Sequence, residues 1–386
     1  MTRLHQPLVL VAFAGIVAGA CATAPPAPVA PVIGYEQKIA WILQLEDHRI
    51  LRETPPAPPA PAPRRGRRPV VVAPPPQVPD LGRLLADDEA RVRRRAALAV
   101  GRVGLAEGMD LLLPRLQDPE PEVRQMAVFA LGLLGDRRAI EPLRAALADP
   151  SPIVQGRAAE ALSLIGDEAS AQAISAMVRG LAQSGAASRV PADELAYPLD
   201  PAVEVFRLGV FALTRLKAFE ALAGAVLDRN GQPTVMWWPV AYALGRTADK
   251  RAVPALVSFM RGNGRQARIF AARGLGAVKD PSAVDILVPF VQGWRNDVPA
   301  AIAAVRALGE IGDQRAADGL VSLVQVRDLP PDLRLETVGA LGALRAPATV
   351  APLLDLLSDR WAPMRAASLR ALRNIDLQQF LVVLSG

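Results

Sequence analysis

The chain has a single cysteine, Cys21, among 386 residues, so no disulfide can form within one molecule. Its only histidines are His5 and His48. Histidine- or cysteine-rich metal spacing is therefore missing. A Ser-His-Asp arrangement would depend on His48, with no flanking nucleophile motif of the G-x-S-x-G kind. P-loop and dinucleotide fingerprints are absent too. These gaps give no residue a catalytic role and call for no cofactor and no metal. Rings are scarce, at 4% of residues against 51% hydrophobic. That argues against one large ring-filled centre and suits thin layers of Ala, Leu and Val. The formal net charge is +6, carried almost wholly by arginine. A mild positive balance favours acidic partners or anionic surfaces.

What is present is a period. Ala99, Ala130 and Ala161 stand 31 residues apart, and after one jump of 51 the series resumes at Ala212, Ala243, Gly274, Ala307, Ala340 and Ala371. An apolar residue follows each, and six of the nine then have a glycine. A second series of compact residues runs beside it: Ala96, Ala127, Ala158, Gly209, Val240, Ala271, Ala304, Thr337 and Ser368. A fixed period of this length marks stacked units, each burying its apolar side only against its neighbours. Two adjacent small-residue ladders imply close helix packing, where bulk would cost about 1–3 kcal/mol.

The N-terminus reads as an address. Arg3, an apolar run from Leu8 to Val17 and then Ala18-Gly19-Ala20-Cys21 describe a secretory signal too short to span a membrane as a mature helix. The cysteine after small residues resembles the bacterial lipobox. That resemblance implies acylation of Cys21, which becomes the first mature residue, and firm anchoring by several acyl chains. Ala22 in place of aspartate implies sorting to the outer membrane, facing the periplasm. The plainer alternative is an ordinary signal whose cysteine is incidental.

The expected organisation is a leader (1–20), a proline-rich tether (21–34), an amphipathic helix (35–53), a linker rich in proline and arginine (54–78) and the repeats (79–386). Ile39, Ile42, Leu43, Ile50 and Leu51 fit a helical period in the third segment. That helix either caps the first repeat or pairs with a partner or a second copy. Arg64, Arg65, Arg67 and Arg68 form a basic cluster that either touches anionic lipid or polysaccharide or keeps a solvated linker extended.

Within the repeats, Leu116 to Arg124 and Leu147 to Gln155 show the pattern most clearly. A first helix ends near the leucine, Asp118 or Asp149 caps a second helix, and proline stands at or near its first position. Val92, Ala96, Ala99, Val100 and Val103 form the buried stripe. Gly104, Gly135, Gly166 and Gly312 close repeats, as the left-handed turn at a helix end requires. Asp136 and Asp167 fall in the turns that follow. The Asp-Pro-x-x-x-Val-Arg and Ala-Leu-Gly pieces resemble the HEAT-repeat family, in the short bacterial form found also in phycobilin-lyase-like proteins. The resemblance runs over residues 79–377. It implies an all-α fold, a right-handed α-solenoid of about nine HEAT-like helical hairpins, with the second helices lining the concave side. Repeat four carries about 20 extra residues around Gln183 to Asp200, read as a surface loop, and insertions in such arrays often carry binding. Leu377–Gly386 ends apolar, so either Phe380, Leu381 and Leu384 fold back as a cap or a further unit follows.

The outward side of the second helices carries the candidate site. Repeats four and five place Arg207, Phe211, Arg215, Trp238, Tyr242 and Arg246 there, and Arg273, Arg306 and Arg370 follow. Arginines among rings combine charge-assisted hydrogen bonds with flat apolar contact. Alternatively the rings pack beneath the repeat-four insertion. The expected function is a non-catalytic scaffold, membrane-anchored, binding a protein with an acidic surface on its concave face; an exported chain rarely meets nucleic acid. The alternative is the recognition part of an enzyme, either a peptidyl-prolyl isomerase whose catalytic domain lies elsewhere or a bilin-lyase-like protein. Lyase activity suits the repeats but not the anchor.

Overall fold

The computed structural model describes residues 33–55, 77–196 and 199–375, and Cys21, Arg64–Arg68 and Leu377–Gly386 lie outside them. The described residues form helices joined by short turns, with no strand beyond two isolated bridges. Helix α1 (Tyr35–His48) is followed by nine hairpins. The first four pair α2 (Leu81–Leu84) with α3 (Ala90–Val103), α4 (Gly108–Leu112) with α5 (Pro121–Leu134), α6 (Ile140–Ala146) with α7 (Pro152–Ile165), and α8 (Ala171–Gln183) with α9 (Pro201–Arg215). The next three are α10 (Phe219–Val226) with α11 (Trp238–Thr247), α12 (Val253–Arg261) with α13 (Arg265–Val278), and α14 (Val284–Gln292) with α15 (Val298–Ile311). The last two are α16 (Ala317–Val324) with α17 (Pro331–Leu344), and α18 (Val350–Asp355) with α19 (Ala362–Ile375).

The second helices stack in chain order from α3 to α19, and every member of both small-residue series is buried. The reason for the glycine two residues past six of the nine ladder positions is now plain. A methyl on Gly101, Gly132, Gly245 or Gly342 would stand 2.7 Å from the Cα of Ala130, Ala161, Gly274 or Ala371 in the next helix. Gly276 faces Ala307 at 2.9 Å and Gly309 faces Ala340 at 3.2 Å in the same way. After Ala212 the place is taken by Thr214. There α9 and α11 share a smaller contact than other neighbouring second helices, and rings fill the space between them.

Seven of the second helices end on a left-handed residue: Gly104, Gly135, Gly166 and Gly312 as expected, but Ala248, Lys279 and Arg345 in three repeats without glycine, at φ of 51–55°; α9 ends on Leu216, with left-handed Lys217 just after it. Proline occupies the first helical position in α5, α7, α9 and α17. One expectation needs correcting. Asp118 and Asp149 do not cap the second helices; Glu120 and Ser151 hold the cap positions. The aspartates stand two residues earlier and accept from the Glu120 and Ser151 N–H groups at 3.1 and 2.8 Å. That turn leaves the rest of each carboxylate free for a longer-range partner.

Helix α1 docks on α3 and serves as the N-terminal cap. It stops at His48, short of the expected span to residue 53. Arg49 turns left-handed, and the Arg49 and Ile50 N–H groups bond back to Glu46 and Leu45. Ile42 and Leu45 are buried, whereas Leu43 is half exposed, and Ile50 and Leu51 lie beyond the helix end. Polar contacts fix the dock. Lys38 pairs with Asp87 at 2.7 Å, Glu46 receives Arg95 and Arg102 at 2.5 and 2.8 Å, and the Arg91 guanidinium lies 3.7 Å over the Tyr35 ring. Burial pushes the Glu46 carboxyl up, but the hydrogen bonds and charge of Arg102 and Arg95 outweigh it and hold it below the usual range. Beyond α1 the chain closes a clasp. Glu53 N–H donates to Pro79 O, Leu81 N–H donates to Leu51 O, and Arg52 bridges Asp80 antiparallel. The 54–78 linker therefore begins and ends at one point, and adds no reach between α1 and the repeats.

Candidate functional site

The apolar stripe of each second helix is used up by the stack, so chemistry has to come from its edges and its outward row. One edge is a ladder of ion pairs. Arg93 donates from Nε and Nη2 to both oxygens of Asp118, each at 2.8 Å, while its Nη1 donates to the Asp87 and Asp88 carbonyls at 2.9 and 3.0 Å. Arg124 repeats this one unit on, taking Asp149 at 2.9 Å twice and the Asp118 carbonyl at 2.9 Å. Arg268 to Asp297 and Arg334 to Asp359 continue the pattern. Gln155 makes only the contact within its own turn, to Asp149 O. Each arginine ties its own turn to the turn of the next repeat. Burial raises the Asp118 carboxyl, and the Arg93 hydrogen bonds and charge overcome that and hold it low. Asp167 behaves alike, with Ser170 and Arg144 as its partners. The ladder is structural: both partners are occupied.

The insertion is not a free surface loop. It returns across the N-termini of α11 and α13. Asp193 accepts from the Arg265 and Gln266 N–H groups at 2.5 and 2.8 Å, and the Trp238 N–H donates to Ala192 O at 2.9 Å. The indole N–H groups of Trp237 and Trp238 both donate to Glu194 O, at 3.1 and 2.9 Å. Trp237 is buried, stacked on Phe206. Trp238 is half-buried, with its ring stacked on Phe270 at 5.4 Å and tilted against Phe211 at 6.2 Å. Among the predicted residues, Trp238 therefore belongs largely to the packing beneath the insertion.

The rest of the predicted set divides. Arg207 is taken by Glu204, at 2.5 and 2.9 Å, and lies over the half-buried Phe211 ring. Tyr242, Arg246 and Arg273 come together with Phe270 around a groove of about 430 Å³ between α11 and α13, floored by Gly245 and Gly274. Tyr242 meets Phe270 edge to face at 5.4 Å and Phe211 likewise at 5.7 Å. The Arg273 guanidinium sits 5.9 Å from the Phe270 centroid. Arg246, Arg273 and Arg215 are exposed and make no ion pair among the described residues, whereas Arg102, Arg157 and Arg306 on the same outward side each hold a glutamate. Phe270 was missed by the sequence reading, which followed other rows of the helix. A second hollow of about 660 Å³ lies on the turn edge between repeats two and three, but its guanidinium, Arg124, is already committed to the ladder.

A model of HEAT repeats matches residues 109–184, 258–328 and 295–373, within the run of helical hairpins described above. Those stretches are HEAT repeats. Solved structures of similar fold include human deoxyhypusine hydroxylase (19% identity, 76% of this chain and 94% of that one, TM-score 0.29). The complex of CpcE and CpcF of phycocyanin lyase from Nostoc sp. is another (19% identity, 81% and 100%, TM-score 0.34). A third is Kap121p (12% identity, 76% and 37%, TM-score 0.48). No curated protein sequence matches the chain.

Proposed function

We propose that this HEAT-repeat chain is a non-catalytic scaffold that captures a protein with an acidic surface on the outward row of its second helices, at repeats four to six. The observation that carries the reading is the set of unpaired guanidiniums, Arg215, Arg246 and Arg273, beside the ring edges of Tyr242 and Phe270, on a face whose other arginines are mostly paired. Arginine and aromatic anchors of this kind carry most of the energy in protein interfaces. The proposal includes an anchor: acylation of Cys21 holds the array on the outer membrane, facing the periplasm. Because α1 docks on α3 and the 54–78 linker closes on itself, only residues 22–33 would separate the lipid from the cap, a span of at most about 45 Å. The test is affinity capture from detergent-solubilised membranes with the full chain. Wild type recovers a defined protein, and Tyr242→Ala with Arg246→Glu and Arg273→Glu loses it. Equal recovery by the variant overturns the face. Retention of acylation and membrane binding in Cys21→Ala overturns the anchor.

A further inference from the structure

We infer that the groove between α11 and α13 is a carboxylate slot for an extended acidic peptide segment of the partner; the inference rests on the scaffold reading and gives it a chemistry. Three observations converge on it. Gly245 and Gly274 line the floor. Elsewhere the glycine of one second helix faces an alanine of the next, as at Gly101 over Ala130 or Gly132 over Ala161, but here Gly245 faces Gly274. The two main chains meet there, and Leu256 takes up the place a Gly274 methyl would need. The walls are rings seen partly edge-on, Tyr242 from α11 and Phe270 from α13, held edge to face at 5.4 Å and buttressed by Phe211 and Trp238. They are fixed by this cluster before any ligand arrives, which lowers the ordering cost of binding.

The rim is cationic. Arg246 and Arg273 border the slot from opposite helices, both exposed and both without a carboxylate partner among the described residues. Arg273 lies in mid-helix, so a helix end does not account for its charge; Arg246, in the last turn of α11, also complements the helix dipole. Arg215 stands at the equivalent place one repeat earlier and extends the positive row across the helices. On the next helix, α15, the Glu310 carboxylate lies over Gly276, two residues past Gly274, and it does not line the slot. A guanidinium pair over a ring-walled slot fits a carboxylate with an apolar neighbour: the fork takes the acid and the ring edges take the hydrocarbon. A segment crossing the helices would also meet Arg215.

The experiment is fluorescence anisotropy on the full chain with a short fluorescein-labelled peptide alternating Glu and Leu. Its comparison probes are the same peptide with Lys for Glu, and a single-stranded DNA oligonucleotide. The Glu peptide is expected to bind, to weaken as salt rises, and to lose at least about tenfold in affinity in Arg246→Glu with Arg273→Glu. Both side chains are exposed and unpaired, so the melting temperature of that variant should fall only slightly, through the charge lost at the α11 C-terminus. Arg327→Glu, on an exposed turn away from the slot, should bind like wild type. Comparable binding of the Lys peptide or the DNA, or undiminished binding of the Glu peptide by the double variant, overturns the slot. If the double variant still recovers the membrane partner while Arg215→Glu with Tyr242→Ala does not, the scaffold reading stands and the slot falls. If no variant of the face affects recovery, both fall.

Discussion

Arg93 grips both oxygens of Asp118, 25 residues away in the next repeat, and at the same time holds two carbonyls of its own turn. The Asp118 side chain is 1% exposed, so the pair is buried where solvent cannot replace a lost partner. Asp118→Ala or Arg93→Ala should each destabilise the array by about 3 kcal/mol, because the survivor stays buried without its main charged partner. The pair Arg138 with Asp136 lies at the surface, and Arg138→Ala should leave the unfolding curve almost in place. Equilibrium chemical unfolding of the three variants checks this.

The same carboxylates set an acid limit. Asp118, Asp167 and Glu46 all have folded-state values below their ordinary ones, since their arginine partners, with Ser170 first at Asp167, outweigh burial. The unfolded chain then takes up protons first as pH falls. The stability these groups contribute is full at neutral pH and is lost from about pH 5 downward, through their lowered values. The melting temperature should hold level above that range and drop below it. Asp118→Asn should be less stable at neutral pH and show a shallower acid slope.

Two glycines in equivalent helices should respond with opposite signs. Gly132→Ala puts a methyl 2.7 Å from the Ala161 Cα, a backbone contact that cannot yield without separating α5 from α7, and should cost about 1–3 kcal/mol. Gly339→Ala in α17 meets nothing within 4 Å and should stabilise by up to about 1 kcal/mol through helix propensity. Thermal melts of the two variants give the comparison.

Three second-helix ends carry strain that glycine would relieve. Ala248, Lys279 and Arg345 hold the left-handed conformation that Gly104, Gly135, Gly166 and Gly312 supply in other repeats. Replacing each by glycine should stabilise the chain by about 1 kcal/mol, read as a rise in melting temperature.

The rings should separate packing from binding. Trp238→Ala removes a stacked ring and its bond to the insertion, and should cost about 2–3 kcal/mol. Tyr242→Ala, at the slot wall, should lower stability less and weaken partner capture more. Calorimetry alongside capture distinguishes the two effects.

Much of the fold is legible in the sequence because a stacked array repeats its constraints. The small residues of both ladders, the proline at the first helical position and the glycine at the helix end each mark one local geometry, and each recurs. The Arg93 to Asp118 pair was not legible. Asp118 has a local explanation in its own turn, and the arginine that completes it comes from the repeat before, so the pairing exists only once the units are stacked. At α1 the helical period admitted Leu43 and Ile50, but the left-handed turn at Arg49 ends the helix and gives the buried place to Leu45. The insertion was visible as extra chain, yet nothing in its residues said that Asp193 and Glu194 would return to α13 and to the two tryptophans. That is why the sequence left Trp238 open between an exposed anchor and packing beneath the insertion, and why Phe270 went unnoticed beside Tyr242, Arg246 and Arg273.

The face itself is tested most directly by photo-cross-linking in the full chain. Benzoylphenylalanine placed at Tyr242, on the slot wall, should give a covalent adduct with the captured protein. The same probe at Asp318, exposed on the first helix α16, should give none. Adducts from position 318 with none from 242 would place the partner on the opposite helices and contradict the account.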